Sequence, residues 1–358
     1  MKNILIIPLL FFVISNAQNS SISSDVKSAE ISNPNSLSLL DNTATIVSSN
    51  PNIKEFSLNT ENLSRISFEY TFFINKSYKN ITGLEYYGLG DDTLDLKQFT
   101  MRKIHRLNLS GALNQTDSIT TAAIGLNINL FTLYSKSNAN LSKSYQNFKK
   151  SIATLSNLAH SQLIDEGKNM SDPDFSTLKL ERMEKIKLEF DDEFADILKK
   201  PLLTLDAAAA YSQLFPTNTF DVNQQDRIGV WSTLTFALNT SKDKKKKHFI
   251  NAYLFTRYIN DKSVYNAVND NYQDNTNFFD NGGKVKFEIN KFSIAYEYIT
   301  RNGDYSDYRS VGNIQYKIND SFYVVGGFGK NFKSESNQDL LTIIGIKWGI
   351  NEKNTITW

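Results

Sequence analysis

Between Gly283 and Ile299 the chain reads GKVKFEINKFSIAYEYI. Lys284, Lys286 and Glu288 alternate there with Val285, Phe287 and Ile289 before a second alternating run begins. A strand points successive side chains to opposite faces, so this alternation puts charge on one side of a sheet and hydrocarbon on the other. The pattern recurs. In 64–74, Ile66, Phe68, Tyr70 and Phe72 share a face; in 106–113, Leu107, Leu109 and Leu113 oppose Arg106, Asn108 and Ser110. In 121–131, Ala122, Ile124, Leu126, Ile128 and Leu130 oppose Gly125, Asn127 and Asn129. Further strands are predicted at 53–59 (the weakest), 202–213, 226–239, 248–259, 283–289, 291–300, 307–318, 321–331 and 339–350. Asn290-Lys291 and Asn319-Asp320 suit two-residue hairpins, because Asn and Asp tolerate the positive φ such turns require.

Most of these runs exceed the five or six residues typical of soluble strands and match what a tilted strand needs to cross a bilayer. Apolar-out, polar-in strands with aromatic residues near their ends characterise transmembrane barrels. A soluble sandwich also alternates, but strand length, the absence of cysteine staples in an exported chain and charges repeated along one strand weigh against it. The expected fold is all-β and transmembrane: an antiparallel up-and-down β-barrel of about 12 strands with a two-helix insertion. Parity supports the weak strand at 53–59. An even count leaves both barrel ends on the periplasmic side, and without 53–59 the count is odd.

The segment 135–201 departs from strand character. Leu141, Tyr145, Phe148, Ile152, Leu155 and Leu158 fall at helical spacing; a second helix is predicted with Asp172 as N-cap, Pro173 at its first position and Leu178, Met183, Ile186, Phe190 and Phe194 on one stripe. The expected organisation is a signal peptide at 1–17, an extended leader or plug at 18–52, barrel strands at 53–134, a periplasmic helical hairpin at 135–201 and the remaining strands at 202–358. The first residues, with Lys2, an apolar run from Ile4 to Ile14 and Ala17, have the layout of a cleaved secretory signal. The apolar run is too short to span a membrane. The location expected is therefore the cell outer membrane.

Composition narrows the chemistry. The formal charge is +1, so no basic field argues for nucleic acid. There is no cysteine, which excludes disulfides, thiolate metal sites and a lipidated N-terminal cysteine. His105, His160 and His248 fall on unrelated segments, so neither a catalytic triad nor a metal site is predicted, and no cofactor is expected. The run KDKKKKH at 242–248 reads as a solvated turn or a site for an acidic periplasmic partner. NDNYQDNTN at 269–277 reads as a plain loop, since it lacks the glycine and terminal glutamate of a calcium loop. GLGDD at 88–92 is too short to cradle a phosphate.

The candidate functional surface is the polar face of the strands. The lumen-lining set is Arg106, Asn108, Asn127, Asn129, Arg227, Thr233, Arg257, Lys284, Lys286, Glu288, Glu297, Arg309, Gln315, Lys317 and Lys347. Basic residues outnumber acidic ones in it, so an open pore would prefer anions mildly; in a filled barrel the same side chains would pair with one another. Two functions follow: a porin-like channel or transport protein, or a non-conducting anchor that presents 135–201 to a periplasmic protein. Outer-membrane lipid is the other partner expected.

The leader at 33–59 carries Pro34, the Leu39-Leu40 pair, Pro51 and Phe56, and the following strand carries Phe68, Tyr70 and Phe72. This layout resembles uncharacterised outer-membrane β-barrel proteins of the Bacteroidetes group. The resemblance implies an outer-membrane barrel of a Gram-negative cell and no active site. Asp41 and Asn42 stand after the Leu pair where a glycine is usual in that group.

Overall fold

The computed structural model describes residues 33–41, 43–49, 56–61, 65–71, 107–115, 119–133, 138–187, 201–216, 218–240, 248–266, 271–273, 275–319, 322–332 and 340–350. Twelve strands close into one antiparallel barrel. They are β1 (Phe56–Glu61), β2 (Arg65–Thr71), β3 (Asn108–Gln115), β4 (Ile119–Leu133), β5 (Leu203–Pro216), β6 (Gln224–Asn239), β7 (His248–Asp261), β10 (Thr276–Ile289), β11 (Phe292–Gly303), β12 (Asp307–Lys317), β13 (Phe322–Lys330) and β14 (Leu340–Ile350). Each pairs with its sequence neighbour, and β14 closes on β1 in a register that sets Leu58 opposite Trp348. The weak strand at 53–59 is thus the closing strand. A two-stranded sheet, β8 (Val264–Asn266) with β9 (Asn271–Gln273), extends the β7–β10 connection.

The barrel is inside-out relative to a water-soluble protein. On β10, Lys284, Lys286 and Glu288 are buried while Val285, Phe287 and Ile289 are exposed. Leu254 is 66% exposed and Ile344 73%. Aromatic side chains mark both rims of this outer apolar band. Phe292, Tyr316 and Phe322 lie at one, with Phe322 stacked on Trp348, and Tyr258, Phe279 and Phe328 lie at the other, where Tyr298 stacks on Tyr308. On the outside of β3, Gly111 leaves a gap that the Phe68 ring covers from the neighbouring strand.

One end of the barrel, called terminal here, holds the start of β1, the end of β14 and the β2–β3, β4–β5, β6–β7, β10–β11 and β12–β13 connections. The other end is called distal. The β4–β5 connection carries α2 (Asn138–Asp165) and α3 (Phe175–Lys187); α1 (Asn35–Leu39) precedes the barrel. Leu155, Ala159 and Met183 form the apolar contact between α2 and α3, and the His160 ring meets Phe175 edge-on at 5.4 Å.

Several local expectations are corrected. The strand predicted at 283–289 begins at Thr276, because pairing with β7 on one side and β11 on the other carries it through Asn281, Gly282 and Gly283, residues poor in strand propensity. Part of 269–277 is therefore strand rather than plain loop. The turn at Asn319-Asp320 belongs to a four-residue connection, with Ile318 N–H donating to the Phe322 carbonyl at 3.0 Å. The β10–β11 turn does have two residues, and Asn290 takes φ 54°. The second helix starts at Phe175, not Pro173. Asp172 uses its carboxylate to accept from the Asn169 N–H at 2.9 Å, while the Asp174 carbonyl accepts the first helical bond, from Leu178. On α2 the buried stripe runs Leu155, Ala159 and Leu163, and Leu158 is exposed. The signal peptide, the lysine run through 247, His105, GLGDD, Phe190 and Phe194 lie outside the described residues.

Candidate functional site

The lumen is occupied by the chain's own leader. Residues 33–41 and 43–49 are buried or half-buried, and α1 packs against the inner faces of β3, β4, β5 and β6. The leader folds as a hairpin. Asn33 Nδ2 donates to Thr43 Oγ1 at 3.0 Å and to the Thr45 carbonyl at 2.6 Å, which ties the two arms together. At its apex Asp41 takes the left-handed conformation, φ 58°. Asp is among the few non-glycine residues that tolerate it, and Asp41 places a carboxylate at the turn.

Three apolar contacts seat the hairpin. Leu39, Ile46 and Val47 join Trp231, Phe255, Ile259, Phe278, Ile299 and Phe332 of the wall. Leu37 and Leu40 meet Ala112 and Ala123, and Ala44 meets Val311, Leu341 and Ile343. Two glycines make room for the leader backbone: a Cβ on Gly125 would lie 2.9 Å from the Ser36 nitrogen, and one on Gly327 would lie 3.0 Å from Ala44 Cα.

The short helix α1 ends in the lumen away from bulk water, where its carbonyls still need donors. Wall arginines supply them. Arg257 Nη1 donates to the Ser38 carbonyl at 2.7 Å and Arg227 Nη1 to the Leu39 carbonyl at 3.3 Å. Arg309 Nη1 and Nη2 reach the Asp41 and Thr43 carbonyls at 3.2 and 2.6 Å. On the descending arm the Ile46 and Val47 N–H groups donate to Glu297 Oε2 at 3.1 and 2.9 Å, and Arg309 Nε holds the same carboxylate at 2.8 Å. Lys284 Nζ donates to Thr45 Oγ1 at 3.2 Å and to the Val47 carbonyl. Lys347 Nζ donates to Asn33 Oδ1.

The apex carboxylate is the centre of charge. Asp41 Oδ1 pairs with Arg257 at 2.6 Å, and its Oδ2 pairs with Arg301 at 2.9 Å and Arg227 at 3.2 Å. Burial alone would raise the Asp41 pKa; the Arg257, Arg301 and Arg227 guanidiniums outweigh it and hold the carboxyl far below the usual range. At the distal rim, burial pushes the Tyr305 phenol up.

Of the predicted lumen set, Arg227, Arg257, Lys284, Glu297, Arg309 and Lys347 converge on the leader. Asn108, Asn127, Asn129 and Thr233 are buried, Asn129 donating to Asp206 at 2.8 Å. Lys286 pairs with Glu288 at 3.2 Å. Gln315 and Lys317 are half-buried, and Arg106 lies outside the described residues. Sequence reasoning missed Asp280, Arg301 and Asp261, although each continues the inward phase of its strand, from Lys284, Glu297 and Arg257 respectively. It also missed that the inner face turns apolar at Trp231, Phe255 and Phe278, where the leader docks.

No family model matches the chain, and no curated protein matches it. Among solved structures, it overlays on a KdgM porin at 6% identity and TM-score 0.37, covering 83% of this chain and 98% of that one. It overlays on Omp33, an outer membrane protein of Acinetobacter baumannii, at 13% identity and TM-score 0.35, covering 83% and 98%. For OmpT of Vibrio cholerae, expressed in the outer membrane, the figures are 10%, 0.27, 85% and 99%. At these scores the likeness adds nothing to the strand pairing, which by itself defines the barrel.

Proposed function

We propose that this chain is an integral outer-membrane protein, a channel-type barrel closed by its own leader. The outer band supports the membrane. Tyr308 and Tyr316 are both outward on β12, eight residues apart, which is about 27 Å of strand and roughly 20 Å of height at a tilt of about 40°. That is close to the apolar height of such barrels. In this reading the terminal end, with α2 and α3, faces the periplasm, and the leader enters from that side.

The observation that carries the closure is the apex. Asp41 sits between three wall arginines, two of which, Arg257 and Arg227, also cap leader carbonyls. An open anion-preferring pore is therefore not the resting form in this reading, because Arg227, Arg257, Lys284, Arg309 and Lys347, most of the basic groups that would create the preference, are engaged by the leader.

Planar-bilayer conductance of the refolded full-length protein, beside a form lacking residues 19–52, tests the reading. A silent full-length protein and a conducting leaderless one are expected. Steady conductance from the full-length form would sink the plug. A second reading, a non-conducting anchor for α2 and α3, is favoured by the filled lumen; silence from both forms, each still migrating as a folded barrel, would select it.

A further inference from the structure

The three arginines at the apex are organised by the wall itself. Asp280 accepts from Arg257 Nε and Nη2 at 2.9 and 2.6 Å, and from Arg301 Nε and Nη2 at 2.8 and 2.9 Å. Asp261 holds Arg227 at 2.7 Å. The Arg301 guanidinium also lies over the Phe332 and Phe278 rings at 3.7 and 4.9 Å, and Arg257 over Phe255 at 5.7 Å. Asp226 lies nearby: its carboxylate accepts from Ser212 Oγ at 2.7 Å, and its charge also acts on Arg227. In direct contact the three guanidiniums meet two wall carboxylates, Asp280 and Asp261. Asp41 is the third carboxylate in direct contact with them, and it belongs to the leader and not to the wall.

We propose that Arg227, Arg257 and Arg301 form a carboxylate-binding site for a small acidic solute, which Asp41 occupies as an internal ligand and with which the solute competes. Planar guanidinium forks match a carboxylate's two oxygens, and burial beside the Phe255, Phe278 and Phe332 rings strengthens the pairing. An incoming carboxylate takes the position of Asp41 and so weakens the seat of the leader apex. The proposal rests on the leader being displaceable, yet its test does not depend on conductance.

The experiment uses full-length Asp41→Gly, which keeps the positive φ accessible and empties the site, with acetate as the probe. Acetate should raise the midpoint of its heat-modifiable migration saturably, by about 2 °C or more. Chloride or inorganic phosphate at equal ionic strength should not, and adding Arg301→Gln should abolish the rise. An equal effect of all three anions, or one that survives Arg301→Gln, overturns the proposal. Should Asp41→Gly fail to fold, hydrogen exchange at Leu39–Val47 in the wild-type protein decides. Exchange faster in acetate than in chloride supports competition, and equal exchange overturns it. A protein that binds acetate but conducts in no form would leave this site standing and remove the channel reading.

Discussion

Asp41 shows how one side chain can carry a conformational and an electrostatic task together. Its φ of 58° turns the hairpin, and its carboxylate balances three guanidiniums. Asp41→Asn keeps the turn and removes the charge, leaving a buried positive excess. Loss of one partner from a buried charge cluster costs about 3–5 kcal/mol, so the variant should show channel openings in bilayers where the wild type is silent. The pH dependence follows from the same pairing. A carboxyl held below its ordinary value of 3.8 contributes its full seating energy above that value and loses it only as pH falls through the depressed one. The wild-type leader should therefore stay closed from neutral pH into mild acid, and Asp41→Asn should open to the same extent across that window. Bilayer recordings at a series of pH values check both; wild-type opening well above pH 4 would contradict the latch.

At the scale of elements, the strands were legible because a period of two is strict where one face meets hydrocarbon, and β4, β7 and β11 were found nearly whole. Their ends were not. Asn281 and Gly282 carry no strand signal, and β10 passes through them because two neighbours hold its hydrogen bonds. The segment before the barrel was legible as an extended leader or plug, but its helix was not, since a short helix whose carbonyls are capped by residues some two hundred positions away has no local signature. Arg257 and Arg309 were read as lumen-facing, but nothing nearby named Asp41 as their partner. A cysteine lock tests that the leader moves as an element. The chain has no cysteine of its own, and a Cβ on Gly327 would stand 3.0 Å from the Ala44 Cβ, a few tenths of an ångström short of the roughly 3.5–4.5 Å of a disulfide. Ala44→Cys with Gly327→Cys, in the Asp41→Asn background, should be silent when oxidised and conduct after reduction. Openings that persist in the oxidised form would show that ions pass without displacement of the leader.

For the whole molecule the governing fact is the inverted solvent preference: charge inside, hydrocarbon outside. Such a surface is stable only where hydrocarbon is the solvent, and a lipid bilayer meets that condition while water does not. The two surfaces of the wall then answer to different media, the outer to lipid and the inner to the leader. Ile344 tests the outer one. It lies at the middle of β14 opposite Gly326, between the Phe322–Trp348 pair at one rim and Phe328 at the other, and it is exposed among the described residues. In a bilayer Ile344→Arg should cost about 2–4 kcal/mol of folding stability, and Leu340→Arg, at the distal end of the same strand, about 0–1 kcal/mol, because the penalty for a cation follows depth in the hydrocarbon. In a water-soluble barrel both changes would be neutral or would improve solubility, with no dependence on height along the strand. Urea titrations of the refolded variants in lipid vesicles separate the cases, and a flat cost along β14 would remove the membrane from the account.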